Sequence, residues 1–327
     1  MRKHWFLILF LVFALNLGFS QGIKVLDSLK TIPFIDTLLI DRDIKNWSLR
    51  LFGNFRERRF VLRNKNNRLR YVPNSPMGVG VGLATRKLIT DIRLNKVSNE
   101  EDVTKRFDFQ TTFLRKNHLF DIFIQNYKGF VVKNDINDQE IFRPDIKSFF
   151  AGVDYLYLLN GERLSFSAMH AGLYRQKKVA ISFGVGGFIE YGELNADTSI
   201  ILDDLEAFFN EQAQLTHSSE ISLGVTGGLI SVIPFGNRFY AMVNVKPSLG
   251  ITIKNIETAE LSYRPSNPLI LDLALDGGIG YNAKRYYGVL TARADVLFSS
   301  LDYGNNSSLY QTAIKLAVGY RLGRKKK

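Results

Sequence analysis

Long runs of alternating apolar and polar side chains fill the C-terminal third of this 327-residue chain, and their length is what most limits its fold. From 239 to 253 the odd positions are Phe239, Ala241, Val243, Val245, Pro247, Leu249, Ile251 and Ile253. The even positions are Tyr240, Met242, Asn244, Lys246, Ser248, Gly250 and Thr252. From 310 to 322, Tyr310, Thr312, Ile314, Leu316, Val318, Tyr320 and Leu322 alternate with Gln311, Ala313, Lys315, Ala317, Gly319 and Arg321. A period of two means strand, because successive Cβ atoms point to opposite faces of the pleat. A tilted strand crosses a bilayer in about 9–11 residues, whereas the usual globular strand has roughly 5–6. Strands this long predict an all-β fold, a transmembrane antiparallel up-and-down β-barrel.

The N-terminus supports that reading. Arg2 and Lys3 precede an apolar run from Trp5 to Leu15, and Gly18-Phe19-Ser20 offers small residues for cleavage before Gln21. The run is shorter than the roughly 18–20 residues of a spanning helix. The expected organisation is a signal peptide over 1–20, a periplasmic segment over 21–46 and a barrel over 47–327. The expected location is the outer membrane of a Gram-negative bacterium. No later stretch is apolar enough for a membrane helix, which leaves a closed barrel as the membrane form. The chain has no cysteine, which excludes disulfides, thiolate catalysis, Cys-based zinc sites and a lipidated mature Cys. Its net charge of +12 would suit nucleic acid, but export removes that partner. The charge is instead expected on lumen and rim positions.

Strand signals begin weakly, over 47–55, a short piece at 59–63, and 78–94 with a break near Arg86-Lys87. They continue over 106–113, 119–127, 146–158, 164–173, 178–191, 218–233, 239–256, 269–281, 286–298 and 309–322. The prediction is about 12 strands, within roughly 10–14, with both ends on the periplasmic side. The long connections 192–217, 255–268 and 299–308 then face outward, and short turns at 234–238 and 282–285 face inward. One connection conflicts: 128–145 is long yet falls on the inner side, so a strand is miscounted there or this loop is an exception.

Gly78, Gly80 and Gly82 lack the third glycine of a dinucleotide loop and follow a turn, so they are read as thinning the barrel wall. His118, His170 and His217 stand on separate elements without metal-ligand spacing. His170 shares a face with Leu164, Phe166, Ala168 and Gly172, opposite Ser165 and Ser167; a membrane-embedded acyl hydrolase or lipid-modifying barrel is therefore the alternative to a non-enzymatic role. Asp203, Asp204, Glu206 and Glu211, with Leu202, Leu205, Phe208 and Phe209, suggest a short amphipathic helix with a solvated acidic face. The inward positions of the last four strands carry Lys246, Lys254, Asp272, Asp276, Arg293, Asp295, Lys315 and Arg321. Lys246, Asp272, Asp276, Arg293, Asp295 and Lys315 are expected to form one lumen charge network, with Asp276 facing Arg293 across neighbouring strands. Leu271, Leu273, Leu275, Ile314, Leu316 and Val318 are expected to face lipid, and Ala317 the lumen, where Arg should be tolerated better than at Leu316. Eight strands make a filled barrel and 16–18 a channel, so about 12 leaves a structural ladder and a narrow, porin-like passage both open. No catalytic, metal or cofactor site is predicted.

The order of several short stretches resembles a family of uncharacterised Gram-negative outer-membrane β-barrels known only as a domain of unknown function. They are Ile35-Asp36-Thr37 before Trp47-Ser48-Leu49-Arg50, and Tyr71-Val72-Pro73-Asn74 before Gly78-Val79-Gly80. Tyr127-Lys128-Gly129-Phe130, Arg143-Pro144-Asp145 and the region from Asn160 to Gln176-Lys177 follow in the same order. The resemblance implies the fold and the location but no activity. The implied surroundings are outer-membrane lipid, lipopolysaccharide and the barrel-assembly machinery, with small solutes or ions as possible cargo. Barrels of this kind commonly end on an aromatic residue, whereas this chain continues past Tyr320-Arg321-Leu322 into Gly323-Arg324-Lys325-Lys326-Lys327. A periplasmic ligand-binding barrel is a third reading and would need its apolar residues inside.

Overall fold

The computed structural model describes residues 40–41, 47–85, 88–94, 102–137, 139–161, 163–164 and 175–322. The expected signal peptide, nearly all of the expected periplasmic segment, His170 with the stretch 165–174, and the basic tail lie outside these residues. Among the described residues twelve strands form a closed antiparallel ring. They are β1 (Trp47–Arg63), β2 (Met77–Thr85), β3 (Leu88–Leu94), β4 (Lys105–Arg115), β5 (His118–Asn134) and β6 (Glu140–Leu158). The second half comprises β7 (Ala180–Asn195), β8 (Leu215–Phe235), β9 (Phe239–Thr258), β10 (Leu269–Asn282), β11 (Tyr286–Asp302) and β12 (Asn305–Leu322). Each strand pairs with the next, and β12 returns to β1 from Asn306↔Arg63 to Leu322↔Trp47. Closure leaves no open edge, which the absence of water in a bilayer requires.

The expected strands need four corrections. The pieces at 47–55 and 59–63 are one strand, and the break near Arg86-Lys87 separates two, β2 and β3. The strand expected over 164–173 lies, apart from Leu164, outside the described residues, and the described ring closes without it, β6 pairing directly with β7 from Leu158↔Gly184 to Lys147↔Asn195. The long 128–145 connection does not exist: β5 runs to Asn134 and β6 starts at Glu140. Gly129, at φ +85°, makes a bulge between Lys128 and Phe130 that puts Tyr127 and Phe130 on the same buried face. That slip breaks the period of two, and Pro144 sits in the matching ladder gap, so both strand ends read as loop. With the extra strand removed, the 135–139 turn falls on the long-connection end and the orientation conflict disappears.

Apolar side chains face outward along the ring. Leu271, Leu273 and Leu275 are exposed, as are Ile314, Leu316 and Val318. Aromatic residues bound this band. Phe235 stacks on Phe239, Phe239 meets Tyr281, and Tyr286 meets Tyr320 near the end where β1 begins and β12 finishes. Toward the other end Phe149 meets Tyr191, and Phe298 meets Tyr310. An apolar belt edged by aromatic girdles is the surface a barrel presents to lipid. Among the described residues the inward apolar side chains, which a periplasmic ligand-binding barrel would need throughout, gather mainly in two layers that close the ends, with Phe123, Phe150, Phe188, Leu297 and Leu309 between them.

The lower layer contains Phe52, Leu156, Leu158, Ile230, Val232, Tyr240, Met242, Val289 and Ala317. Ala317 has no exposed surface, so Arg would be poorly tolerated there, contrary to the sequence expectation. Inward glycines make room for these bulky groups: a Cβ on Gly80 would strike the Phe52 ring at 2.2 Å, and one on Gly280 the Tyr240 ring at 2.0 Å. Gly78 and Gly82 give the same clearance to Arg93 and Arg50. The glycine alternation of β2 is thus a trough that lets long neighbours lie flat along the wall.

Candidate functional site

The upper end is closed by residues 196–214, which fold back over the mouth as two short 3-10 turns, Asp203–Phe208 and Glu211–Ala213. Ile200, Ile201, Leu205 and Ala213 are fully or almost fully buried against Leu62, Leu69, Tyr71, Val132, Ile146, Ile256 and Leu301. The amphipathic segment seen in the sequence is therefore a plug with its acidic residues outward.

Its backbone is held from several strands. The Tyr71 hydroxyl donates to the Ile200 carbonyl at 3.0 Å, and the Tyr263 hydroxyl to Gln212 O at 2.8 Å. Arg143 Nη1 donates to Ser199 O at 2.9 Å while its other donors grip Asp145 at 2.8 Å. Asn64 Nδ2 reaches Phe208 O at 2.8 Å, and Asn305 Nδ2 reaches Asn210 Oδ1 at 2.7 Å. Tyr71 and Tyr263 lie above the lipid band, and burial pushes both phenols above their ordinary value, so they remain neutral donors.

Between the two apolar layers the lumen is charged, and the charge is sorted by side. Arg50, Arg56 and Arg58 on β1, Arg93 on β3, Arg106 on β4 and Lys315 on β12 face inward against only Asp91 and Asp108. Arg56, Arg93 and Arg106 all converge on Asp108, at 3.4, 3.5 and 3.2 Å, and the Tyr127 hydroxyl donates to it at 2.6 Å. Arg50 and Lys315 share Asp91, at 2.7 and 3.0 Å. The Arg58 guanidinium lies over the Phe150 ring, 3.6 Å from its centre.

The opposite arc, β5 to β11, has the reverse sign. Asp121, Asp154, Glu190, Asp272, Asp276 and Asp295 line it against Lys246 and Arg293. Arg293 contacts Asp295 at 2.7 Å. Among the described residues Lys246, Asp154 and Glu190 make no ion pair within 4 Å, and they line two adjoining cavities. Lys246, Asp154 and Glu190 are each half-buried and so keep access to the cavity space.

The six network residues expected from the sequence all line these cavities, but the contacts differ from those expected. Asp276 does stand opposite Arg293 in the ladder, yet Arg293 binds Asp295, and Asp276 accepts a hydrogen bond from Asn244 at 3.3 Å. Loss of Asp276 would therefore not strand Arg293. Lys315 reaches across to β3, and Lys246 stays apart. Lys254 lies higher, buried with Glu220 at 2.9 Å and Ser299 at 2.9 Å, while Arg321 lies near the lower end beside Asn282. Of the basic arc the sequence reading placed only Lys315 in the lumen network and missed Arg50, Arg56, Arg58, Arg93 and Arg106. Their visible signal was the inward set Arg106, Asp108, Gln110 of β4, opposite Phe107, Phe109 and Phe113.

His118 Nδ1 lies 2.9 Å from the Tyr155 hydroxyl, and His217 pairs with Asn195; neither of these contacts reaches a serine. His170 lies outside the described residues. Among the described residues no group of three or more His, Asp and Glu is placed to hold a metal ion.

The profile of one family matches residues 35–322, which include the whole ring. The chain belongs to the domain of unknown function DUF4421. No characterised protein in curated collections matches it. The DUF4421 barrel is similar to the outer-membrane protease OmpT of Escherichia coli, at 9% identity over 88% of this chain and 99% of that one, with a TM-score of 0.37. It is also similar to the translocator domain of the autotransporter NalP of Neisseria meningitidis, at 8% identity over 84% of this chain and 88% of that one, TM-score 0.42. The transport unit of the Escherichia coli autotransporter AIDA-I shares 10% identity over 94% of this chain and 98% of that one, TM-score 0.40. At these distances the fold of the DUF4421 barrel rests on its own closed ring and apolar belt.

Proposed function

We propose that this protein is a non-enzymatic outer-membrane barrel enclosing a narrow passage for small polar solutes, closed at its mouth by residues 196–214. The carrying observation is the set of lumen charges left without ion pairs: Lys246, Asp154 and Glu190. A lumen that only needed filling would pair its charges or replace them with apolar groups, because an unpaired charge away from water is costly. A hydrated chamber removes that cost. The export signal and the outward apolar belt favour an outer membrane, with lipid and lipopolysaccharide as surroundings and the assembly machinery as the route in.

Single-channel recording in planar bilayers tests the proposal. Wild type should conduct near zero, and Ile200→Asp, which places a carboxylate in the plug, should open steady conductance. A wild type that conducts steadily would contradict the closed mouth. A folded Ile200→Asp barrel that never conducts would leave a purely structural role.

A further inference from the structure

The charge pattern of the lumen also speaks to what it would accept. The basic arc holds six cations against two carboxylates, and the acidic arc six carboxylates against two cations, so among the described residues the layer is close to neutral but strongly polarised. A neutral lining exerts little net pull on an ion of either sign. What remains is a field across the lumen, strengthened by the low-dielectric wall outside it. An anion attracted to Arg56 is repelled by Glu190 on the far side of the same cavity, and a cation meets the opposite problem. A solute carrying both charges lies along the field and gains at each end.

Two further features suit such a guest. Lys246 and Glu190 each bring an ionisable group, one basic and one acidic, to the same cavity without a contact ion pair. Asn244, buried on the adjoining wall, has a side-chain oxygen with no hydrogen-bond partner there, a dipole whose negative end suits a positive group. From these observations we infer that the chamber selects small zwitterions, carboxylate end toward Arg56 and Arg58, ammonium end toward Asp154, Glu190 and Asp272. The inference rests on the passage reading above.

Tracer efflux from liposomes containing the full-length protein separates the two claims. The probes are glycine betaine, choline and propane-1-sulfonate, which are of similar size and carry both charges, a positive charge and a negative charge respectively. Each is measured with wild type, with the opened Ile200→Asp variant, and with Tyr71→Phe/Tyr263→Phe as a gentler opening should the first fail to assemble. Betaine should cross an opened barrel roughly tenfold faster than either ion. In the opened background Glu190→Gln with Asp154→Asn should turn the preference toward propane-1-sulfonate, and Arg56→Gln toward choline. Equal rates for the three probes, or a preference unmoved by these changes, would overturn zwitterion selection. Failure of all three to cross an opened, heat-modifiable barrel would overturn the passage itself.

Discussion

The plugged mouth and the chamber beneath it are built from the same strands yet solve opposite problems. β9 shows the contrast within one strand. Lys254 and Lys246 lie eight residues apart on the same inward face; Lys254 is buried with Glu220, Ser299 and Ser307, and Lys246 opens onto the cavity without an ion pair. Near the mouth the plug backbone is tied by Tyr71, Tyr263, Arg143 and Asn64, and the space between is filled by Ile200, Ile201 and Leu205. In the middle, charges of one sign crowd together, a few are paired within their own arc, and the remainder face the opposite sign across the lumen. On the passage reading, the difference teaches that the upper layer excludes water and the middle layer keeps it.

The contrast can be broken hardest at the plug. Ile200→Asp puts an uncompensated charge into a fully buried site and should destabilise the closed mouth by on the order of 3–5 kcal/mol. The check is protease nicking within residues 196–214, which should appear in the variant and be absent in wild type.

Lipid provides a second boundary. Leu316→Arg should lower barrel stability by about 2–4 kcal/mol if it lies near the membrane midplane. Ala313, three residues earlier but inward, is flanked in the ladder by Arg56 and Arg293. Ala313→Glu should therefore be nearly neutral, as read from the temperature at which the folded band on unheated gels is lost.

The two lysines sharpen the comparison further. Lys254→Met leaves Glu220 without its partner in a dry setting and should cost about 2 kcal/mol in urea unfolding from lipid vesicles. Lys246→Met removes a hydrated charge and should change stability by less than about 0.5 kcal/mol. Equal costs would mean that the middle layer is as dry as the mouth.

Much of this contrast was hidden from the sequence for identifiable reasons. The second half of the ring and its lipid-facing residues followed from unbroken alternation, as in β9, β10 and β12. The upper halves of β5 and β6 did not, because the Gly129 bulge and Pro144 interrupt the period where the strands leave the lipid band. The inward charges of β10 and β11 could be placed by counting back from a short turn. Their partners could not: Lys315 binds Asp91, 224 residues away, and only closure of β12 onto β1 brings them together. The plug was visible as an amphipathic stretch, but its direction depends on apolar residues supplied by distant strands.

The smallest effect concerns a single latch. Tyr263→Phe removes the donor to Gln212 and should loosen the plug by about 1 kcal/mol, measured by hydrogen exchange across 211–215. Burial raises the Tyr263 phenol, so this latch is complete below the ordinary tyrosine value near about 10 and is lost only as pH climbs through the raised value. Mouth closure should thus be unchanged from neutral pH up to about 10.

Because the chain has no cysteine, one introduced thiol reports its own surroundings. The deciding measurement is labelling of Ala313→Cys in the chamber by a small charged methanethiosulfonate added to the outer side of intact vesicles, with Val232→Cys in the lower apolar layer as control. Ala313→Cys should be protected in the wild-type background and react once Ile200→Asp opens the mouth, while Val232→Cys stays protected in both. Rapid labelling of Ala313→Cys behind an intact plug, or none behind an opened one, would contradict a wet, closed chamber.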